Sequence, residues 1–121
     1  MAVKIVDTSD GVLTVEFTGL LKKSELEQAQ KAAIDLIQKH GKVSLFAIAK
    51  DFQGWAKEGD WGDLSFQAKY DKHIEKIAIV GEKKWEDLAL AFTAKGFRPV
   101  AIEYFLPGDL AKARAWLAAK K

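Results

Sequence analysis

The chain contains no cysteine. That absence removes disulfides, thiolate nucleophiles, cysteine-based zinc sites and iron–sulfur ligation together, and it fits a reducing compartment, so a cytoplasmic location is expected. Histidine is nearly as scarce, with two in 121 residues. Both fall near the expected C-termini of helices, where the partial negative charge of the backbone favours an imidazolium. His40 directly precedes Gly41, while His73 has Asp71 and Glu75 at two-residue spacing. A helix end and a loop do not readily present three ligands on one face, and no paired spacing such as HExxH occurs, so neither a metal nor another cofactor is expected.

Long apolar runs are missing as well. The longest, Val43 to Ala49 with Ser44 inside it, has about seven residues against the ~20 needed to span a bilayer. Residues Met1 to Asp10 alternate apolar and polar and include Lys4 and Asp7, so neither a signal peptide nor a membrane span is expected. There is no excess of one charge: 19 basic residues are interleaved with 17 acidic ones for a net charge of +2. Basic pairs are confined to Lys22-Lys23, Lys83-Lys84 and Lys120-Lys121. Nucleic-acid binders concentrate lysine and arginine on one face, often among stacking aromatics, so nucleic acid is not an expected partner.

What is present is the balance of an ordinary globular protein, 49% hydrophobic and 30% charged, and residues 1–121 read as a single domain. At this length folding hides roughly two-thirds of the surface of the open chain, enough for a core without metal or disulfide. Val3-Lys4-Ile5-Val6 is mostly β-branched, and Leu13, Val15 and Phe17 alternate onto one face. The turn cluster Asp7 to Gly11 between them predicts a hairpin. Ser24 followed by Glu27 has capping-box spacing, and Leu26, Ala29, Ala33, Leu36 and Ile37 recur at helical intervals up to Gly41.

Val43 to Ala49 lacks helical polar gaps and reads as a strand covered on both faces. A second, weaker helix begins at Asp60, with Trp61, Leu64 and Ala68 on one face. Lys76 to Gly81 is another buried strand, followed by a third helix with Trp85, Leu88, Ala89 and Phe92 on one stripe. Gly96 and Phe97 fit a Schellman end to that helix. Val100 to Phe105 is the last strand, and Pro107 suits the start of a final helix that buries Leu110, Ala113 and Leu117. The order ββαβαβαβα favours an α/β fold with a mixed, mostly parallel sheet and packed helices. The open-sheet rule then puts any ligand near the carboxyl ends of the parallel strands, where the loops after Lys50, Gly81 and Phe105 meet.

Catalytic constellations do not emerge. Ser65 lacks a Gly-x-Ser-x-Gly elbow and a histidine placed to activate it. Glu86 and Asp87 sit in a helix first turn, where the dipole accounts for them. Gly54, Gly59 and Gly62 fit neither dinucleotide nor P-loop spacing. No enzyme is expected. The feature that asks for a reason is the segment from Asp51 to Trp61, a polar, glycine-rich stretch read as a loop that holds two of the four tryptophans. Its Phe52, Trp55 and Trp61 either cap the core or form an apolar pocket or docking surface.

The opening hairpin, the run Phe46 to Trp55, the stretch Ile77 to Trp85 and the ending from Glu103 through Leu117 together resemble the SpoIIAA-like family. Val80-Gly81-Glu82-Lys83-Lys84-Trp85 and Ala113-Arg114-Ala115-Trp116-Leu117 are the more specific elements. The family belongs with the STAS domains, and its members are also described as related to the CRAL-TRIO lipid-binding fold. The resemblance implies a four-to-five-stranded mixed sheet used as a binding or regulatory module. In phosphorylatable STAS regulators a serine lies in an Asp-Ser-Ser-Gly type motif after the central strand, and the matching position here reads Asp51-Phe52-Gln53-Gly54. Glutamine cannot accept a phosphoryl group, so that switch does not carry over.

Two readings follow. The chain is a non-enzymatic module that binds a protein partner through residues 51–61 and the start of the third helix, with Phe52, Gln53, Trp55, Trp61 and Trp85 as contacts. Alternatively, it is a carrier or sensor of a small apolar, lipid-like ligand that the same rings enclose. An exposed edge strand or apolar loop often finds a symmetric mate, so monomer and homodimer both stay open. If Trp55 caps the core, Trp55→Ala lowers unfolding stability by several kcal/mol in a urea titration; a ring that serves only as a gate leaves the midpoint nearly unchanged.

Overall fold

The alternation of Leu13, Val15 and Phe17 requires a strand with one apolar face, and the chain forms one there. In the computed structural model, which describes residues 3–8, 11–56, 65–93 and 100–119, β1 (Val3–Asp7) and β2 (Val12–Leu21) run antiparallel, with Val3 opposite Phe17 and Ile5 opposite Val15. The first helix, α1 (Lys23–His40), leads to β3 (Val43–Trp55). Then follow α2 (Ser65–Tyr70), β4 (Ile74–Val80), α3 (Glu86–Phe92), β5 (Ala101–Phe105) and α4 (Leu110–Ala118). The five strands lie in the order β1-β2-β3-β4-β5. Every pair after the first is parallel, which is the mixed sheet expected from the element order.

The pleat sends successive side chains to opposite faces, and the two faces bury different cores. On one, Ala29, Ala33, Leu36 and Ile37 of α1 join Leu13, Val15, Val43, Ile77, Ile79 and Ile102 of the sheet. On the other, Ala113 and Leu117 of α4 cover Phe46, Ala78 and Val80. The interior strand β4 serves both, Ile77 and Ile79 to one side and Ala78 and Val80 to the other. This double burial is why the strand reads as a continuous apolar run rather than an alternating one. Each fully buried aliphatic or aromatic side chain of this kind contributes about 1.5–3 kcal/mol.

Helix boundaries depart from the sequence reading in three places. Because β2 stays in the sheet through Leu21, α1 starts at Lys23, ahead of Ser24, and Glu25 rather than Glu27 reaches back, its Oε1 accepting from the Lys22 backbone N–H at 3.1 Å. Gly41 ends the helix in the left-handed conformation, φ 84°, donating to the Ile37 carbonyl at 2.7 Å. A 3-10 turn at Lys83–Trp85 precedes α3 and shifts the phase of its stripe. Ala89 and Leu90 face the core, while Leu88, expected to be buried, is 54% exposed. A similar turn, Pro107–Asp109, precedes α4 and leaves Leu110 exposed. The expected start of the second helix, with Asp60, Trp61 and Leu64, and the expected Schellman end at Gly96 and Phe97 lie outside the described residues.

The carboxyl ends of the strands are tied to one another. The Ala56 N–H donates to the Leu21 carbonyl at 2.7 Å, and the Gly81 N–H donates to the Phe105 carbonyl at 3.0 Å. Gly81 is required by a close approach, since a Cβ there would stand 2.5 Å from Tyr104 Oη and 3.3 Å from Ala49 Cβ. Gly81→Ala is therefore expected to lower stability by about 1–3 kcal/mol, as overpacking does. Denaturant titration of Gly81→Ala, Tyr104→Phe and the double variant should show a combined loss smaller than the sum of the two.

Candidate functional site

The polar stretch after Lys50 has the composition of a loop, but its first part continues β3. Phe17 pairs with Ala49 and Leu21 pairs with Trp55, so four residue steps on β2 are matched by six on β3. The surplus is absorbed in two bulges. Asp51 at φ 53° and Gly54 at φ 103° supply the left-handed backbone, which bends the strand without breaking its pairing. The residues that look like turn formers in the sequence are bulge formers, and they carry Phe52 and Trp55 into the sheet.

Trp85, in the 3-10 turn after β4, meets these two rings. Ring centroids lie 5.1 Å apart for Phe52 and Trp55, 5.2 Å for Phe52 and Trp85, and 6.1 Å for Trp55 and Trp85, all edge to face. Such pairs contribute about 0.5–1.5 kcal/mol each beyond their buried area. Phe52 is buried within the larger core, and Trp55 and Trp85 are half-buried against it. Gly54 lets the Trp85 ring rest on the backbone of β3, since a Cβ there would stand 3.3 Å from its Cη2 atom. The Trp85 Nε1–H is shielded from solvent and has no hydrogen-bond partner among the described residues.

Polar groups border the rings. The Lys84 ammonium lies 5.5 Å from the centre of the Trp85 ring, within cation–π range. The Lys83 ammonium stands 2.6 Å from Glu86 Oε1, and that hydrogen bond, with the attraction of the carboxylate, raises its pKa. Tyr104, near the end of β5, donates its hydroxyl to the Glu82 carbonyl at 2.6 Å. Burial, reinforced by the negative charges of Glu86 and Glu82, pushes the Tyr104 phenol up to about 12.

Of the five residues expected to act at this end, the fold brings together Phe52, Trp55 and Trp85. Gln53 is exposed on the same strand, its Nε2 donating to the Asp51 carbonyl at 3.5 Å, and Trp61 lies outside the described residues. Tyr104 and Glu82 escaped the sequence reading because their hydrogen bond joins two strand ends 22 residues apart. His73 is accounted for by a contact of its Nδ1 with the Gly41 carbonyl at 2.9 Å. Among the described residues no group of three or more His, Asp or Glu side chains is placed to hold a metal ion, and no helix is long and apolar enough to cross a membrane.

An open sheet with one antiparallel edge strand and helices packed on both faces defines an α/β domain of the SpoIIAA type. The SpoIIAA-like family model matches residues 12–118, and the chain belongs to that family. The crystal structure of an uncharacterized protein from the DUF3478 family with a SpoIIAA-like fold, from Shewanella loihica PV-4, is similar in fold. The TM-score is 0.71 at 22% identity, over 97% of this chain and 93% of that one. No curated protein matches.

The raised phenol makes a titration prediction. Tyr104 stays protonated in the folded chain above pH 10 and ionises near 12, whereas in the unfolded chain it ionises near 10. Its contribution to stability is therefore complete below pH 10 and is lost as the pH rises toward 12. Ultraviolet titration should show a late phenol ionisation, and Tyr104→Phe should remove that late step.

Proposed function

We propose that the chain is a non-enzymatic binding module whose contact surface for a protein partner is the aromatic carboxyl edge of the sheet. The observation that carries this reading is the three-ring cluster of Phe52, Trp55 and Trp85, followed three residues after Trp85 by an exposed leucine, Leu88. Buried or half-buried rings give a rigid platform, and exposed Gln53, Lys83 and Lys84 supply a polar border. Apolar anchors within a polar rim are the usual anatomy of a protein contact. The fold of the family, used as a binding or regulatory unit in the STAS class that it resembles, is in keeping with this role, and the cysteine-free composition supports a cytoplasmic setting.

A second reading rests on a separate observation. The Trp85 Nε1–H is a shielded donor without a partner among the described residues, and such a group costs free energy until an acceptor meets it. A small apolar molecule carrying one acceptor, inserted among the rings, would satisfy it, which is the carrier or sensor reading.

Because Leu88 is exposed, Leu88→Asp should keep the thermal midpoint while weakening the affinity of any captured partner by at least about tenfold, the scale of a hot-spot residue. Unchanged affinity for every partner removes this edge from the contact surface. Native mass spectrometry of the freshly purified chain, with organic extraction, separates the readings: a stoichiometric small molecule that is lost in Trp85→Ala favours the carrier.

A further inference from the structure

The run Ile74–Val80 holds one lysine. Lys76 pairs with Ala101 across β4 and β5 and shares a sheet face with Ala78 and Val80, the face covered by α4. It is only 8% exposed. Its Nζ donates to the carbonyls of Trp116 and Ala119, both at 2.6 Å, and lies 5.0 Å from the centre of the Trp116 ring. These carbonyls belong to the C-terminal end of α4, where helix carbonyls lack partners of their own and the backbone dipole is negative. One ammonium thus satisfies two acceptors at the helix end and faces an aromatic ring from the same turn.

Besides this ammonium, α4 is held by a small apolar cluster and by the Arg114 guanidinium, 5.2 Å from the centre of the Phe46 ring. The helix has nine residues, too few to stay helical in isolation. Its buried side chains are Ala113 and Leu117, in a cluster completed by Phe46, Ala78 and Val80. Leu110 is exposed and Trp116 is half-buried, its ring 6.0 Å from that of Phe105. The larger core lies on the other side of the sheet and takes nothing from α4.

We propose that α4 is a releasable cover over the apolar strip of Phe46, Ala78 and Val80, and that Lys76 is its catch. When the ammonium is in place the helix end is capped and the strip is closed. When the catch opens, α4 loses the interaction that fixes its far end and lifts as a unit, while the sheet and α1 stay folded on the larger core. This is local opening of a small cooperative segment, built into the strand that supports both cores.

Native-state hydrogen exchange on the full chain, across low urea concentrations, tests this. In the wild type, protected amides of α4 should exchange through an opening that depends less on urea than exchange in β3 and β4. Lys76→Met keeps the apolar stem but removes the donors, and it should raise α4 exchange by at least about tenfold with β3 and β4 unchanged. Lys76→Arg, which retains charge and donors, should restore part of the protection. The proposal is overturned if wild-type α4 and β4 amides exchange in step, or if Lys76→Met leaves α4 within about twofold of wild type. Should Lys76→Met fail to fold, the wild-type comparison alone decides.

Discussion

The carboxyl end of this domain depends on β3 remaining paired with β2 beyond Asp51. Backbone pairing through Leu20 and Leu21 holds Gly54 and Trp55 in register, and the Ala56–Leu21 hydrogen bond closes the last step. With that pairing, Phe52 becomes a core residue and Trp55 stands where Trp85 can meet it edge to face. Without it, the rings would sit on an unsupported loop and would have to meet the cost of their own ordering. The aromatic platform is thus a product of sheet hydrogen bonding, and the rings then reinforce the pairing that placed them.

The sheet separates two cores of unequal size. The α1 side collects residues from all five strands and their flanks, from Val3 to Ile102. The α4 side is a narrow strip over β3 and β4, flanked by Val12 of β2 and Phe105 of β5. This inequality follows from the topology. Each parallel connection advances by one strand in the same direction, and right-handed crossovers of that kind favour one side of the sheet for the connecting helices. Only the helix after the last strand is released from that rule and can fold back over the other face. Lys76, the one lysine of β4, sits on that face and meets the carbonyls at the end of α4.

Most of the framework was legible in the sequence because its signals are local. The two-residue period of Leu13, Val15 and Phe17, the unbroken run of β4 and the helical spacing of Ala29, Ala33, Leu36 and Ile37 each report their own element. The misreadings share one cause, which is that the deciding partner lies elsewhere in the chain. Asp51, Gln53 and Gly54 have turn-forming character, and only their pairing with β2 makes them strand. The 3-10 turn at Lys83–Trp85 rotates α3 enough to expose Leu88, and no local spacing announces it. The contacts of Lys76 with Trp116 and of Tyr104 with Glu82 span 40 and 22 residues. The clustering of rings could be anticipated in part because tryptophans in a polar stretch demand an explanation; the polar groups that border them could not.

Gly81, just after β4, and Tyr104 of β5 share a single space, with the phenol oxygen lying where a side chain at residue 81 would have to begin. The two positions are therefore mutually exclusive in volume. Over evolutionary time a larger residue at the first becomes tolerable only after the second has shrunk, so relatives should drift through paired exchanges there. The order of such exchanges is constrained as well, because the intermediate with both groups large is the one that the packing penalises.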